Sequence, residues 1–561
     1  MRRRWRKGAR LTREIFPDEI LIDSSNLPRF DTDQFEGRME RPLGRRVLWF
    51  VGGAVALVML ALAVRAGDLQ LLRGTAFAEE AQNNQLNERV LFADRGVIED
   101  RNGTPLAYNQ RADVGDDFAQ RVYDALPGLA HVVGYVKPPA KDSGGTYYRT
   151  AFEGMAGAEA AFNSELQGQN GVALTETDAR GGVVSQSVEQ PPVPGAQVRL
   201  SIDANVTNGL YATIAAIVNQ SHFQGGAGVI MDVRTGELLA LTSYPEYSSQ
   251  ALSDGDAQAI AAYTTDPHQP FLDRAVDGLY SPGSIVKPIM AVAALTEGVI
   301  SENKEILSTG SISVPNPYDS AHPSIFLDWR ANGWMDIRHA IAYSSDVYFY
   351  EVGGGYQDQA GLGITNIDKY LRLFGFGAPT GFAGFTEPAG VISTPAWKAA
   401  NFSNDPTWRL GDTYHTAIGQ YGTQITPLQA VREAAALANG GTLLTPTLLA
   451  SSTPQGVNLN LPEHNLEVVR EGMRLGVTGG IATQVNFDFV HVAAKTGTAQ
   501  VGVHNEYQNS WMIGFWPYEN PRYAYAFVLE KGPAGTLIEA PTVGHDFFTW
   551  MEQNAPQYLG N

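Results

Sequence analysis

Ser284 and Lys287 stand three residues apart in the segment YSPGSIVKP (280–288). A serine hydroxyl becomes a nucleophile when a base takes its proton. A lysine one helical turn away on the same face can be that base, once its pKa is lowered. Pro282-Gly283 lets the backbone turn sharply and places Ser284 at a helix start, where free N–H groups can stabilise a developing oxyanion. Ile285, Val286 and the apolar stretch Ile289–Leu295 would strip water from Lys287, and desolvation favours the neutral amine. The spacing by itself is common. Ser301 and Lys304 repeat it, but in the polar stretch SENKE (301–305), which reads as a solvated loop or helix end. Two more motifs follow in order. Ser344-Ser345-Asp346 comes 60 residues after Ser284, and Lys495-Thr496-Gly497-Thr498 comes 151 after Ser344. Lys495 follows the apolar Val492-Ala493-Ala494. A lysine emerging from an apolar strand onto two threonine hydroxyls suits a carboxylate-binding site, and Gly497 leaves room for a ligand beside the strand. The plain alternatives are an N-cap serine with a surface lysine, a helix cap at Ser344 and an edge-strand lysine at 495. Context and order together favour acyl transfer.

The elements that must hold these residues follow from periodicity. Ala204–Val218 has the apolar spacing of an amphipathic helix, and Ala227–Val233 with Glu237–Thr242 reads as a β-hairpin. Ile289–Leu295 is predicted to be a buried helix, and Ile425–Gly440 a helix ended by Asn439-Gly440-Gly441. Val490–Ala494, Ser510–Phe515 and Tyr523–Leu529 read as strands. Strands first, helices between and strands last predict an α/β (α+β) domain over 205–561, with a mixed antiparallel sheet covered by helices. Upstream, Leu69–Asn87 has helical spacing, Arg89–Phe92 reads as a short strand, 94–107 as a hairpin turning at Asn102-Gly103, 137–150 as a loop and Ala156–Leu166 as a helix.

The chain has 561 residues, a net charge of −19 and no cysteine. Residues 1–46 hold twelve Lys/Arg and eight Asp/Glu, so the remainder carries −23, which argues against nucleic acid as a partner. Val47–Val64 is free of charge over 18 residues. As a helix it would be roughly 27 Å long, close to the hydrocarbon thickness of a bilayer. A cleaved signal peptide and a buried core helix are the alternatives. The late start, the lack of an Ala-x-Ala-like site directly after it and the unbroken apolar run favour an uncleaved anchor over 47–66. Arg2, Arg3, Arg4, Arg6, Lys7, Arg10, Arg45 and Arg46 precede it, so the positive-inside rule predicts a cytoplasmic tail (1–46) and a large extracytoplasmic portion. The ten histidines show no metal-ligand spacing, and neither a metal nor a cofactor is expected.

The three motifs in this order are those of penicillin-binding proteins and serine β-lactamases. The chain resembles class B penicillin-binding proteins of the elongation type, the penicillin-binding protein two group of rod-shape synthesis, from about residue 45 to the C-terminus. The likeness lies in ADRGVIEDRNGTPLAYN (93–109), HVVGY (131–135), GAEAAFNSELQGQNG (157–171), DARGGVV (178–184), DVRTGELLALTSYP (232–245), DRAVDGLYSPGSIVKP (273–288), SSDVYFY (344–350), LGDTYHTAIGQ (410–420), ITPLQA (425–430) and AAKTGTAQVG (493–502). Asp346, where division-type relatives carry Asn, points to the elongation type.

The resemblance implies a pedestal of the penicillin-binding protein dimerisation type over 67–204 and a transpeptidase domain over 205–561. It implies that Ser284 is the acylated nucleophile and Lys287 its base. Ser344 would be a proton relay near the leaving group, and Asp346 an orienter of Lys287 and of the stem peptide. Lys495 would supply the electropositive side. Thr496 and Thr498, flanking Gly497, would bind the terminal carboxylate, and the N–H groups of Ser284 and Thr498 would form the oxyanion hole. The implied reaction is D-alanyl-D-alanine transpeptidation of peptidoglycan stem peptides at the plasma membrane, with β-lactams as inhibitors and a SEDS glycosyltransferase of RodA type as polymerising partner. The rival readings are a D,D-carboxypeptidase or β-lactamase-like hydrolase, and an inactive penicillin-binding scaffold. Two departures stand out. Gly419-Gln420-Tyr421 stands where the family has Gly-Gln-Gly, which leaves the local backbone geometry beside the site open. The span Leu106–His131 is shorter than the family's pedestal insertion.

Overall fold

This computed structural model describes residues 45–75, 85–111, 116–177, 183–316, 319 and 321–560. The basic tail up to residue 44, the 76–84 part of the Leu69–Asn87 segment and residues 178–182 of DARGGVV lie outside them. The chain divides into two compact units, one of residues 1–86 with 176–185 and one of the rest.

In the first unit, helix α1 (Arg45–Gly67) is exposed along its length, with Arg65 in its last turn. It continues as a single π-helical turn, Asp68–Leu72, in which Arg65 donates to Asp68 Oδ2 at 2.7 Å. Over its most apolar 18-residue window the mean hydropathy is 2.6, and the span is long and apolar enough to cross a membrane. The helical spacing expected through Asn87 gives way to a strand at Gln85–Leu91.

The second unit begins with a small sheet. Strands β1 (Ile98–Glu99), β2 (Pro105–Gln110), β3 (Gln120–Tyr123) and β4 (Val198–Arg199) lie in the order β4-β1-β2-β3. The Asn-Gly turn forms as expected: Asp100 Oδ1 accepts the N–H groups of Asn102 and Thr104, both at 2.8 Å, and Gly103 takes φ +86°. Ala156–Leu166 forms two short helices, Gly157–Ala161 and Asn163–Leu166. The first carries Glu159 inward, where its carboxylate accepts Arg95 Nε at 2.6 Å and Arg121 Nε at 2.7 Å, all three side chains being fully buried.

The larger sheet is antiparallel throughout. Its strands β5 (Gly225–Asp232), β6 (Leu238–Tyr244), β7 (Ala493–Val501), β8 (Tyr507–Trp516) and β9 (Tyr523–Pro533) run in the order β6-β5-β9-β8-β7. Hairpin β5–β6 comes early in the chain and β7–β9 come last; the pairing of β5 with β9 joins them. The helices that position the site are α2 (Ala204–Ser221), α3 (Lys287–Thr296), α4 (Ile337–Tyr343), α5 (Asp346–Gly354), α6 (Leu410–Ala417), α7 (Pro427–Ala438), α8 (Glu463–Thr478) and α9 (Ala540–Asn554). One sheet face packs on α2 and α9, with Leu210, Ile214, Phe547 and Phe548 against Ile230 and Phe527. The other packs on α3, α7 and α8 through Met290, Val431 and Met473. Every residue of α7 is buried, as its near-continuous apolar run requires.

The edge strand of the sheet lies further along the chain than the sequence suggests. Val490–Ala494 was expected as a strand leading up to Lys495. The strand instead runs from Ala493 to Val501 and carries the whole Lys-Thr-Gly-Thr motif. Gly497 does not break it because a side chain there would collide with the Pro282 carbonyl oxygen, 2.9 Å from where its Cβ would sit. The glycine permits close packing rather than ending the strand.

Candidate active site

Ser284 lies in a 3-10 turn, Gly283–Val286, that leads into α3. Tyr280 pairs with Ile425 through two 2.9 Å backbone bonds, Trp511 Nε1 donates to Ser281 O at 3.0 Å, and Gly283 N donates to Gly419 O at 2.9 Å. Gly283 takes φ +56°, the sharp turn foreseen from Pro282-Gly283. Lys287 opens α3 and is fully buried. Its Nζ donates to Ser344 O at 2.7 Å, Ser344 Oγ at 3.2 Å and Asp346 Oδ1 at 2.7 Å.

Ser344 ends α4 in the left-handed region, φ +56°. This turn separates α4 from α5 and aims Oγ at both lysines. Lys495 Nζ donates to Ser344 Oγ at 2.8 Å, so one hydroxyl oxygen bridges Lys287 and Lys495. Burial, and Lys287 beside it, hold the Lys495 ammonium well below the usual lysine range, while Asp346 and Glu433 pull the other way. Lys495 thus holds its proton less tightly than an exposed lysine, and the Ser344 hydroxyl touches both it and Lys287. Glu433 on α7, fully buried, has its carboxyl pushed well upward by that burial.

All the expected residues converge. Ser284, Ser344, Asp346, Thr496, Gly497 and Thr498 line one cleft of about 830 Å³, and the buried Lys287 and Lys495 bond to its lining residue Ser344. Ser301 and Lys304 lie elsewhere; Lys304 donates to Gln359 at 2.6 Å. Strand β7 is the last of its sheet, so its outer backbone edge can pair with an extended peptide laid beside Ser284.

Several residues here carry no motif. Asp328 is buried and accepts from Ser308 Oγ at 2.9 Å and from the N–H groups of Asp346 (3.1 Å) and Val347 (3.2 Å), fixing the start of α5 on which Asp346 sits. His415 of α6 lines the cleft, and burial lowers its pKa, keeping the imidazole neutral. Glu539, at the start of α9, accepts from Gln508 Nε2 at 2.8 Å and from Thr498 Oγ1 at 3.4 Å. Tyr421 holds φ +65°. This is a left-handed conformation that glycine adopts freely and other residues rarely hold.

Residues 226–547 match the penicillin-binding protein transpeptidase domain, and residues 116–200 match the penicillin-binding protein dimerisation domain. The peptidoglycan D,D-transpeptidase MrdA of Haemophilus influenzae is 30% identical over 468 residues, 76% of this chain and 69% of that one. Two solved structures share the fold. One, described as structural coordination of polymerization and crosslinking by a peptidoglycan synthase complex, has a TM-score of 0.70 at 26% identity and covers 90% of this chain and 98% of its own. The other is a complex between penicillin-binding protein PBP2 and MreC from Helicobacter pylori, with a TM-score of 0.68 at 26% identity over 84% of this chain and 99% of its own. With a serine on a tight turn, two buried lysines joined through a second serine, and a family match across more than half its length, the chain belongs to the penicillin-binding protein transpeptidases.

Proposed function

We propose that the protein is a peptidoglycan D,D-transpeptidase of cell-wall elongation that crosslinks stem peptides through an acyl-serine intermediate. The observation that carries this reading is the Lys287–Ser344–Lys495 bridge at the back of a cleft opened by Ser284. A donor stem pairs with the edge of β7, its terminal carboxylate meeting Thr496 and Thr498, and its penultimate D-Ala carbonyl lies over Ser284. Ser284 Oγ attacks that carbon while its proton passes to Lys287, which needs a neutral amine at that moment. The N–H groups of Ser284 and Thr498 receive the oxyanion. As the C–N bond breaks, Ser344 hands a proton to the departing D-Ala amine and is resupplied by the lysines. An amine from a neighbouring stem then attacks the acyl-serine, and the same proton path runs in reverse. Asp346 at the first turn of α5 orients Lys287, its charge favoured by the helix N-terminus.

The domain reading is a cytoplasmic tail (1–46), a membrane anchor (47–66), a pedestal (67–204) and a transpeptidase domain (205–561). The bracketing arginines support an extracytoplasmic catalytic domain. The glycan strands come from a polymerising partner, a SEDS glycosyltransferase of RodA type. The likeness to a synthase complex that couples polymerization with crosslinking supports this pairing.

The test is covalent labelling of the full-length protein, in detergent, with a fluorescent penicillin. Intact-mass analysis is expected to show one long-lived adduct, lost in Ser284→Ala and kept in Ser301→Ala. Labelling that survives Ser284→Ala refutes the nucleophile. An adduct that hydrolyses within seconds favours a hydrolase over a transpeptidase.

A further inference from the structure

Tyr421 has no part in the proton path, yet its surroundings are built around it. A tyrosine at φ +65° occupies backbone space that side chains other than glycine rarely hold, so something must keep it there. Two walls do so. Trp397 and Trp408 meet its ring edge-on, each with centroids 5.9 Å away, and Phe402 lies nearly parallel at 6.3 Å. Lys398 Nζ sits 5.5 Å from the ring centre and donates to Asp412 Oδ2 at 2.6 Å, in an ion pair that is almost wholly buried. Asp412 in turn accepts Arg409 N at 2.7 Å and locks the start of α6. Burial raises the pKa of the tyrosine hydroxyl, with Lys398 and Asp412 exerting opposite influences on it.

The other end of this loop touches the nucleophile turn. Gly419 O accepts Gly283 N at 2.9 Å, and a Cβ on Gly419 would sit 2.2 Å from Gly283 O, so the two backbones are in direct contact. Gln420 Nε2 reaches Thr498 O at 3.5 Å. The loop thus abuts the two segments whose N–H groups form the oxyanion site in the proposed mechanism, one on each side. Gln420 and Tyr421 themselves line the cleft.

We propose that Tyr421, clamped by its aromatic walls and the Lys398–Asp412 pair, is a positioning residue that holds the Gly283–Ser284 turn and Thr498 at the spacing acylation requires. This inference rests on Ser284 being the nucleophile. Misplacing a reacting group by a fraction of an ångström weakens the chemical step more than binding. The readout is therefore the split between the dissociation constant of the non-covalent penicillin complex and the rate constant of acylation, measured by rapid mixing on the full-length protein in detergent.

Tyr421→Gly suits the backbone and removes the clamp; its acylation rate constant is expected to fall about tenfold, with the dissociation constant within about twofold of wild type. Tyr421→Phe keeps the ring in its walls and is expected to restore the rate to within about threefold. If Tyr421→Gly does not fold, Trp408→Leu, which removes one wall, is expected to lower the same rate constant at least threefold. An unchanged acylation rate in the variant that folds overturns the proposal, as does a defect confined to the dissociation constant, which would make Tyr421 a ligand contact. A wild-type protein that is not acylated at Ser284 refutes the function reading and this inference with it.

Discussion

The pedestal and the cleft each set a carboxylate near two basic side chains, and they do opposite things with it. In the pedestal, Glu159 holds Arg95 and Arg121 with no side-chain exposure in any of the three. In the cleft, Asp346 faces Lys287 at 2.7 Å but keeps 22% of its own side chain in contact with solvent, and a second lysine lies one hydroxyl away. The charges are alike in number and sign. The chemistry differs because guanidinium stays protonated in proteins, whereas a buried ammonium can release its proton. The arginine cluster is a fixed joint tying segments 64 and 38 residues apart to one helix. The lysine cluster has a proton to spare and a cleft into which to deliver it.

Making the cleft resemble the pedestal is the sharpest way to break this contrast. Lys287→Arg keeps the charge and removes the releasable proton. Acylation by penicillin is expected to fall about a thousandfold with the fold intact by circular dichroism. Near-normal acylation would mean that Lys287 serves only as a charge.

The converse change weakens the pedestal. Glu159→Gln leaves Arg95 and Arg121 buried without their carboxylate, and the cost is expected to be about 3 kcal/mol in chemical denaturation. The acylation rate of the folded protein should be unchanged. If it drops while the protein remains folded, the pedestal cluster tunes the cleft and is more than a joint.

The smallest expected effect sharpens the role of Asp346. Its negative charge raises the pKa of Lys495 against the depression caused by burial and Lys287. Asp346→Asn removes that support, so the lysine loses its proton at lower pH. The acidic limb of the pH–rate profile for acylation is expected to move to lower pH, with the plateau rate falling several-fold through lost orientation. A limb that stays in place would separate Asp346 from the lysine titration.

What could be read from the chain is what chemistry forces to be local. Ser284 and Lys287 must lie one turn apart, and Lys495 to Thr498 must follow one another on a strand, so both appear as short strings. The amphipathic period of 204–221 and the apolar runs of the strands were equally legible. Residues that act across the fold left no such mark. Asp328 reaches Ser308 and the start of α5 from 18 to 20 residues away within an otherwise ordinary loop. The depressed pKa of Lys495 comes first from its burial and then from a second lysine 208 positions earlier in the chain. The sequence pointed to burial of Lys287, which the structure bears out, but not to a shared hydroxyl between two amines. The strand expected at Val490–Ala494 begins instead at Ala493 and runs through the motif, and the close approach of Gly497 to Pro282, distant in sequence, left no local mark. Likewise Tyr421 drew notice as a departure, but the rings and ion pair that hold it come from three other segments.

Strand β7 also carries a liability. An edge that stays open for a reactant is open to any other extended chain, including an identical edge on a neighbouring molecule. Proteins confined to one surface meet at high local density, which raises the hazard of strand-to-strand aggregation. Of the four side chains on this strand that are not buried, three, Thr496, Thr498 and Gln500, are polar and only the terminal Val501 is apolar, and the Gln420 amide already leans on the Thr498 carbonyl. Replacements that widen substrate choice by making this edge more apolar should be paid for in colloidal stability.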